Sequence, residues 1–254
     1  PTVTLVGDLA ALTDNVVQAI VESQGAKPEL FRSADGSLLL AVRRGENGPS
    51  IRTLTDDSLR ILLARLIRFV RIDGRTGAET AVSPPEHVVK SLRADPPPEL
   101  PTLVRIVTAP VVGRDGAFLT TPGYHPGSMA FYAPDEGFTI APVPDDPKPE
   151  EVAAARETFL LPLCDFSFTT ESERAHAVAA MLLLFVRDLI RGPTPMHLVT
   201  KPTAGSGGTL LCDVFSIVGT GQSAPVGTEI PNDEEGRKRL TSIFLAAELI
   251  VLLD

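Results

Sequence analysis

Apolar residues from position 8 to about 23 fall on one side of a helical wheel, which predicts an amphipathic helix. Two apolar runs follow, at 28–32 and 38–42, around Ala34-Asp35-Gly36-Ser37. Asp-Gly between such runs predicts a hairpin. Thr55-Asp56-Asp57 is a helix-capping sequence, and the helix behind it is expected to reach about Phe69. Pro84-Pro85-Glu86 opens a shorter helix to about Arg93, and the proline-rich stretch 95–101 predicts a stiff extended linker. Residues 102–140 read as β-rich, with a turn at Arg114-Asp115-Gly116, and helices are expected at about 150–163 and 171–190.

The C-terminal pattern differs. A short strand-type run at 196–200 precedes Lys201-Pro202-Thr203-Ala204-Gly205-Ser206-Gly207-Gly208-Thr209. Behind it, Leu210, Leu211, Val214, Ile217 and Val218 share one helical face. Strand, glycine-rich turn and helix are the setting of a phosphate-binding loop, whose backbone N–H groups and helix dipole favour an anion. Against the pattern G-x-x-x-x-G-K-[ST], Pro202 stands at the first glycine and Gly207 at the second. Thr209 supplies the magnesium-binding hydroxyl, and Gly208 takes the place of the lysine. The aliphatic run 248–254 ends in Asp254, as a buried strand does when it delivers a Walker B carboxylate to magnesium. The spacing of about 45 residues between these motifs leaves room for the intervening elements of a P-loop fold.

These signals divide the chain into an α+β accessory module (1–147), a helical lead-in (148–192) and the start of an α/β P-loop core (193–254). Only the first half of that core is expected here, because such a core needs strands beyond Walker B. The 254 residues are therefore read as the front part of a longer protein.

Composition narrows the partners. The net charge is −9, with neither half basic, so contact with nucleic acid requires a local patch or an assembled ring. No apolar stretch approaches the ~20 residues that span a bilayer, and a soluble cytoplasmic protein is expected. Cys164 and Cys212 lack metal-type spacing and read as buried free thiols.

Several stretches together resemble the large primase-associated and phage- or plasmid-type AAA+ ATPases of bacterial mobile elements, related to the superfamily-three helicases. They include Pro122-Gly123-Tyr124-His125, Asp165-Phe166-Ser167-Phe168, Gly192-Pro193-Thr194-Pro195-Met196-His197-Leu198, the loop 202–209, Ile217-Val218-Gly219-Thr220-Gly221 and Val251-Leu252-Leu253-Asp254. The likeness is good from about 118 to 254 and looser before. It implies an accessory module ahead of a AAA+ core that forms a homo-oligomeric ring, binds ATP and Mg2+, and moves on single-stranded or forked DNA, with a primase as a further partner. In that reading Pro202, Thr203, Ala204, Gly205, Ser206, Gly207, Gly208 and Thr209 bind nucleotide, Thr209 and Asp254 hold magnesium, and Asp254 is catalytic. Gly208 keeps a second expectation open: a degenerate, non-hydrolysing ATPase serving as a DNA-docking or structural subunit, since a lysine there normally neutralises phosphate charge.

Other residues are read more plainly. Arg60, Arg65, Arg68 and Arg71 form one stripe on the helix expected from Thr55, opposite its leucines, and are candidates for DNA phosphate as well as for a solvated face. Lys201, at the end of the expected strand, reads as a surface lysine that reaches a phosphate only if the loop folds back. Arg237-Lys238-Arg239 reads as a solvated helix end ahead of the alternative, contact with nucleotide or a neighbouring subunit in place of the missing lysine. His87, His125, His176 and His197 are scattered without metal-type spacing.

Overall fold

The computed structural model describes residues 1–25, 27–45, 48–201, 203, 205–224, 226–227, 233–246 and 250–253. In chain order the elements are β1 (Thr2–Thr4), α1 (Leu9–Gln24), β2 (Phe31–Arg32), β3 (Leu39–Gly45), β4 (Gly48–Thr53), α2 (Asp56–Leu66), β5 (Arg68–Ile72), β6 (Glu79–Val82) and α3 (Glu86–Ala94). There follow β7 (Arg105–Val107), β8 (Val111–Val112), β9 (Phe118–Leu119), β10 (Gly123–His125), β11 (Ala130–Tyr132), α4 (Pro149–Leu160) and α5 (Glu171–Val186). The last are α6 (Gly208–Thr220), β12 (Val226–Gly227), α7 (Asp233–Ala246) and β13 (Leu252–Leu253). They belong to two compact units: residues 1–106 with 123–131, and residues 107–122 with 132–254. The module boundary expected at 147 falls inside the second unit.

Local chemistry starts the helices of the first unit. Asp8 caps α1 by accepting the Ala11 N–H at 2.9 Å. Thr55 and Ser58 form a reciprocal capping box at α2, with the Thr55 N–H donating to Ser58 Oγ at 2.7 Å. In the hairpin turn the Asp35 carboxylate accepts from the Ser33 and Ser37 hydroxyls, and Gly36 takes the positive φ of 75°. β3 is the middle strand of the β2-β3-β4 sheet, antiparallel on both sides. At the end of α1, buried Gln24 turns its side-chain oxygen to the Glu29 and Leu30 N–H groups, so the entry to β2 leaves no orphan donor there.

A second sheet, β1-β5-β6, has β1 parallel and β6 antiparallel to β5. Its Val3 and Phe69 face the main core with Leu12, Val16, Ile20, Leu59, Leu63 and Val88 from the helices. The stretch from 67 to about 69 was expected to continue the preceding helix. Instead α2 stops at Leu66: Ile67 is extended (φ −133°, ψ 134°) and its N–H closes the last turn onto Leu63 O. Apolar residues of 62–70 fit a helix about as well as a strand. Pairing with β1 and β6, both distant in sequence, decides for β5. The expected linker 95–101 is also a packed segment, with Pro96, Pro97 and Leu100 buried in this unit.

In the second unit, α5 and α6 pack closely around Met181, Leu184, Leu211 and Phe215. Gly219 permits that approach, because a Cβ there would run into the Leu184 side chain. β12 and β13 pair in parallel, Val226 with Leu252 and Gly227 with Leu253. The run 196–200 forms no strand, and Met196 and Leu198 are 84% and 82% exposed. The first strand expected for a P-loop core is therefore not formed there, and 196–200 and 252–253 share no sheet among the described residues. Exposed polar ends and two prolines just upstream, Pro193 and Pro195, weaken any ladder this short run could make.

Candidate functional site

The glycine loop enters α6 as follows. Gly205 and Gly207 have φ of 81° and 87°, left-handed values that side-chain-bearing residues adopt only with strain. Ser206 Oγ donates to Thr203 O at 2.9 Å and so tightens the turn. Gly207 is the N-cap and offers no capping side chain; its carbonyl accepts the Leu211 N–H at 2.9 Å. The N–H groups of Gly208, Thr209 and Leu210 precede the first closed turn, so they face outward at the positive end of the helix dipole. Thr209 sits in this first turn, half-buried. Phe166 lies behind the turn, with Cε1 3.8 Å from where a Gly207 Cβ would be.

Lys201 is placed differently from a detached surface lysine. A Cβ built on Gly208 would lie 3.1 Å from Lys201 Cδ and 3.6 Å from Val199 Cγ1. The alkyl stem of Lys201 therefore runs across the residue that replaces the motif lysine. The loop folds back far enough to bring positions 201 and 208 together, and the side chain remains exposed. Sequence spacing alone hides this, since seven residues separate the two. The visible signal is compound: a lysine just before a glycine loop, and a glycine where the lysine belongs. Lys201 forms no ion pair among the described residues.

The remaining predicted residues fare unequally. Pro202, Ala204 and Asp254 lie outside the described residues, so the distance between the Walker B acid and Thr209 is not part of the described geometry. No cluster of three His, Cys, Asp or Glu residues suited to a metal occurs among the described residues. The arginine stripe is broken by the early end of α2. Arg60 and Arg65 are on that helix, five residues and so about 140° apart. Arg68 and Arg71 are on β5, where an odd separation puts them on opposite faces of the sheet. Arg65 and Arg68 instead flank a groove of about 580 Å³ floored by Leu66, Ile67, Phe69 and Val82.

Cys164 is exposed and Cys212 half-buried, in place of two buried thiols. Tyr124 and Phe131 pack on Phe31, and the Tyr124 hydroxyl donates to Thr102 O at 2.7 Å. No helix among the described residues is long and apolar enough to cross a membrane. Compared with protein-family models, characterised proteins and solved structures, the chain shows no match.

Proposed function

We propose that the loop 203–209 and the first turn of α6 bind the phosphates of ATP, with Lys201 supplying the positive charge that Gly208 cannot, in an ATP-dependent motor acting on DNA. The observation that carries this is the Lys201 stem lying across Gly208. A lysine at 208 would compete with that stem for the same space; glycine leaves room for a lysine arriving from the other side of the loop. The donor set fits a triphosphate: outward N–H groups at a helix start, a hydroxyl at Thr209 and an ammonium on a flexible stem. Thr209 and, from the sequence, Asp254 would hold magnesium, which would supply neutralisation of phosphate charge. Lys201 would neutralise phosphate charge, the loop N–H groups would orient the phosphates, and the apolar side of α6 would fix the loop against α5.

Gly208 also favours a second reading, a subunit that holds nucleotide without turning it over. Hydrolysis of ATP by the full-length protein with single-stranded DNA separates the two. The motor reading expects turnover that Asp254→Ala abolishes. ATP binding without turnover in the parent supports the second reading, and absence of ATP binding contradicts both.

A further inference from the structure

The two units divide the charge unequally. The first carries 13 Lys/Arg and 13 Asp/Glu and the second 10 and 19, so the whole formal −9 resides on the second. Eleven of the 13 cations of the first unit are arginines, the side chain best matched to phosphate.

Their placement singles out the β3–β4 hairpin. In its register Ala41 faces Arg52 and Arg43 faces Ser50, which puts Arg43 and Arg52 on one face as diagonal neighbours, about 7–8 Å apart at the backbone. Arg52 is exposed and Arg43 half-buried, and neither forms an ion pair among the described residues. Two like charges so placed repel each other, and a bound polyanion would relieve that. The acid at the far end of the sheet does not serve: the Asp35 carboxylate is engaged by Ser33 and Ser37 in its own turn. By contrast Arg93, on α3, is paired with Asp56.

We propose that the Arg43/Arg52 face of this hairpin docks the phosphate backbone of single-stranded DNA. The occupant follows from charge complementarity: two guanidiniums one ladder step apart, without an ion-pair partner among the described residues, match a chain of regularly repeated anions. Nothing on this face reads bases, so binding should be independent of sequence. The proposal shares its DNA with the motor reading but stands on the other unit, and the two fail separately.

The test is anisotropy of a labelled single-stranded oligonucleotide titrated with the full chain at several salt concentrations, for the parent, R43Q/R52Q and R43K/R52K. Each arginine–phosphate contact adds about 0.7 to the salt slope, so R43Q/R52Q should flatten it by about 1.4. Between about 50 and 200 mM salt the parent should then lose roughly sevenfold more affinity than that variant. R43K/R52K should keep the parental slope, which a merely structural role would not require. An unchanged slope in R43Q/R52Q, or a parent that does not bind the oligonucleotide at the lowest salt, overturns the proposal. Far-UV circular dichroism and thermal unfolding of the same R43Q/R52Q sample should match the parent, which shows the variant folded without calling on the nucleotide reading.

Discussion

At the scale of single residues, two side chains show how local geometry sets chemistry that composition does not reveal. The Asp35 carboxyl is held down to about 2, first by the Ser33 hydroxyl, then by the Ser37 hydroxyl and the Ser37 N–H, all of which favour its charged form. Its folded value lies below the unfolded 3.8, so its contribution to stability is present above about pH 4 and is lost as pH falls through about 2. NMR titration of the Asp35 carboxyl should show a midpoint near 2 that moves toward the ordinary value in Ser33→Ala; a midpoint near 4 in the parent contradicts the turn geometry. Lys201 is the second case. Its ammonium has no acidic partner among the described residues, while its stem lies against Gly208, so position rather than neighbouring charge makes it a candidate for phosphate.

Among the elements, contacts local in sequence were the legible ones. The Asp35-Gly36 turn, the cap at Thr55 and the helix starting near Asp8 rest on hydrogen bonds spanning two to five residues, and the sequence shows both partners. The end of α2 was not legible, because Leu62 to Val70 is apolar at both periods and the choice depends on β1 and β6. That single boundary moved Arg68 and Arg71 from a helix face to opposite faces of a strand. The run 196–200 failed for the converse reason: its residues suit a strand, but no partner strand pairs with it among the described residues.

The α5–α6 contact gives this scale its prediction. Gly219→Ala adds helix propensity of about 1 kcal/mol, yet its Cβ collides with Leu184 from Cβ outward, so the helices must separate. Overpacking of about 1–3 kcal/mol less that gain leaves a net loss of up to about 2 kcal/mol. Chemical denaturation should detect it, and adding Leu184→Ala should make the pair less destabilising than the sum of the two singles. Additive losses would mean that the two side chains do not meet.

At the scale of the whole molecule, the two units differ in charge and in the anion proposed for each. On the two proposals, the neutral, arginine-rich first unit would meet the DNA backbone on β3–β4, and the acidic second unit would confine its anion to one loop where backbone dipoles and Lys201 act together. Bulk charge would have placed neither, because the first unit's cations cancel its acids in the count, while Arg43 and Arg52 form no ion pair among the described residues. The glycine loop was legible as a pattern, and Lys201 as a lysine that would reach it only if the loop folded back; that its stem lies against Gly208 comes from the fold.

The most direct test is calorimetric titration of ATP with magnesium into the full chain and into Lys201→Gln. A charge-assisted contact contributes about 1.5–3 kcal/mol, so the variant should bind roughly 10- to 100-fold more weakly at unchanged thermal stability. Equal affinity in the two proteins would remove Lys201 from the phosphate site and with it the claim that this chain replaces the motif lysine from across the loop.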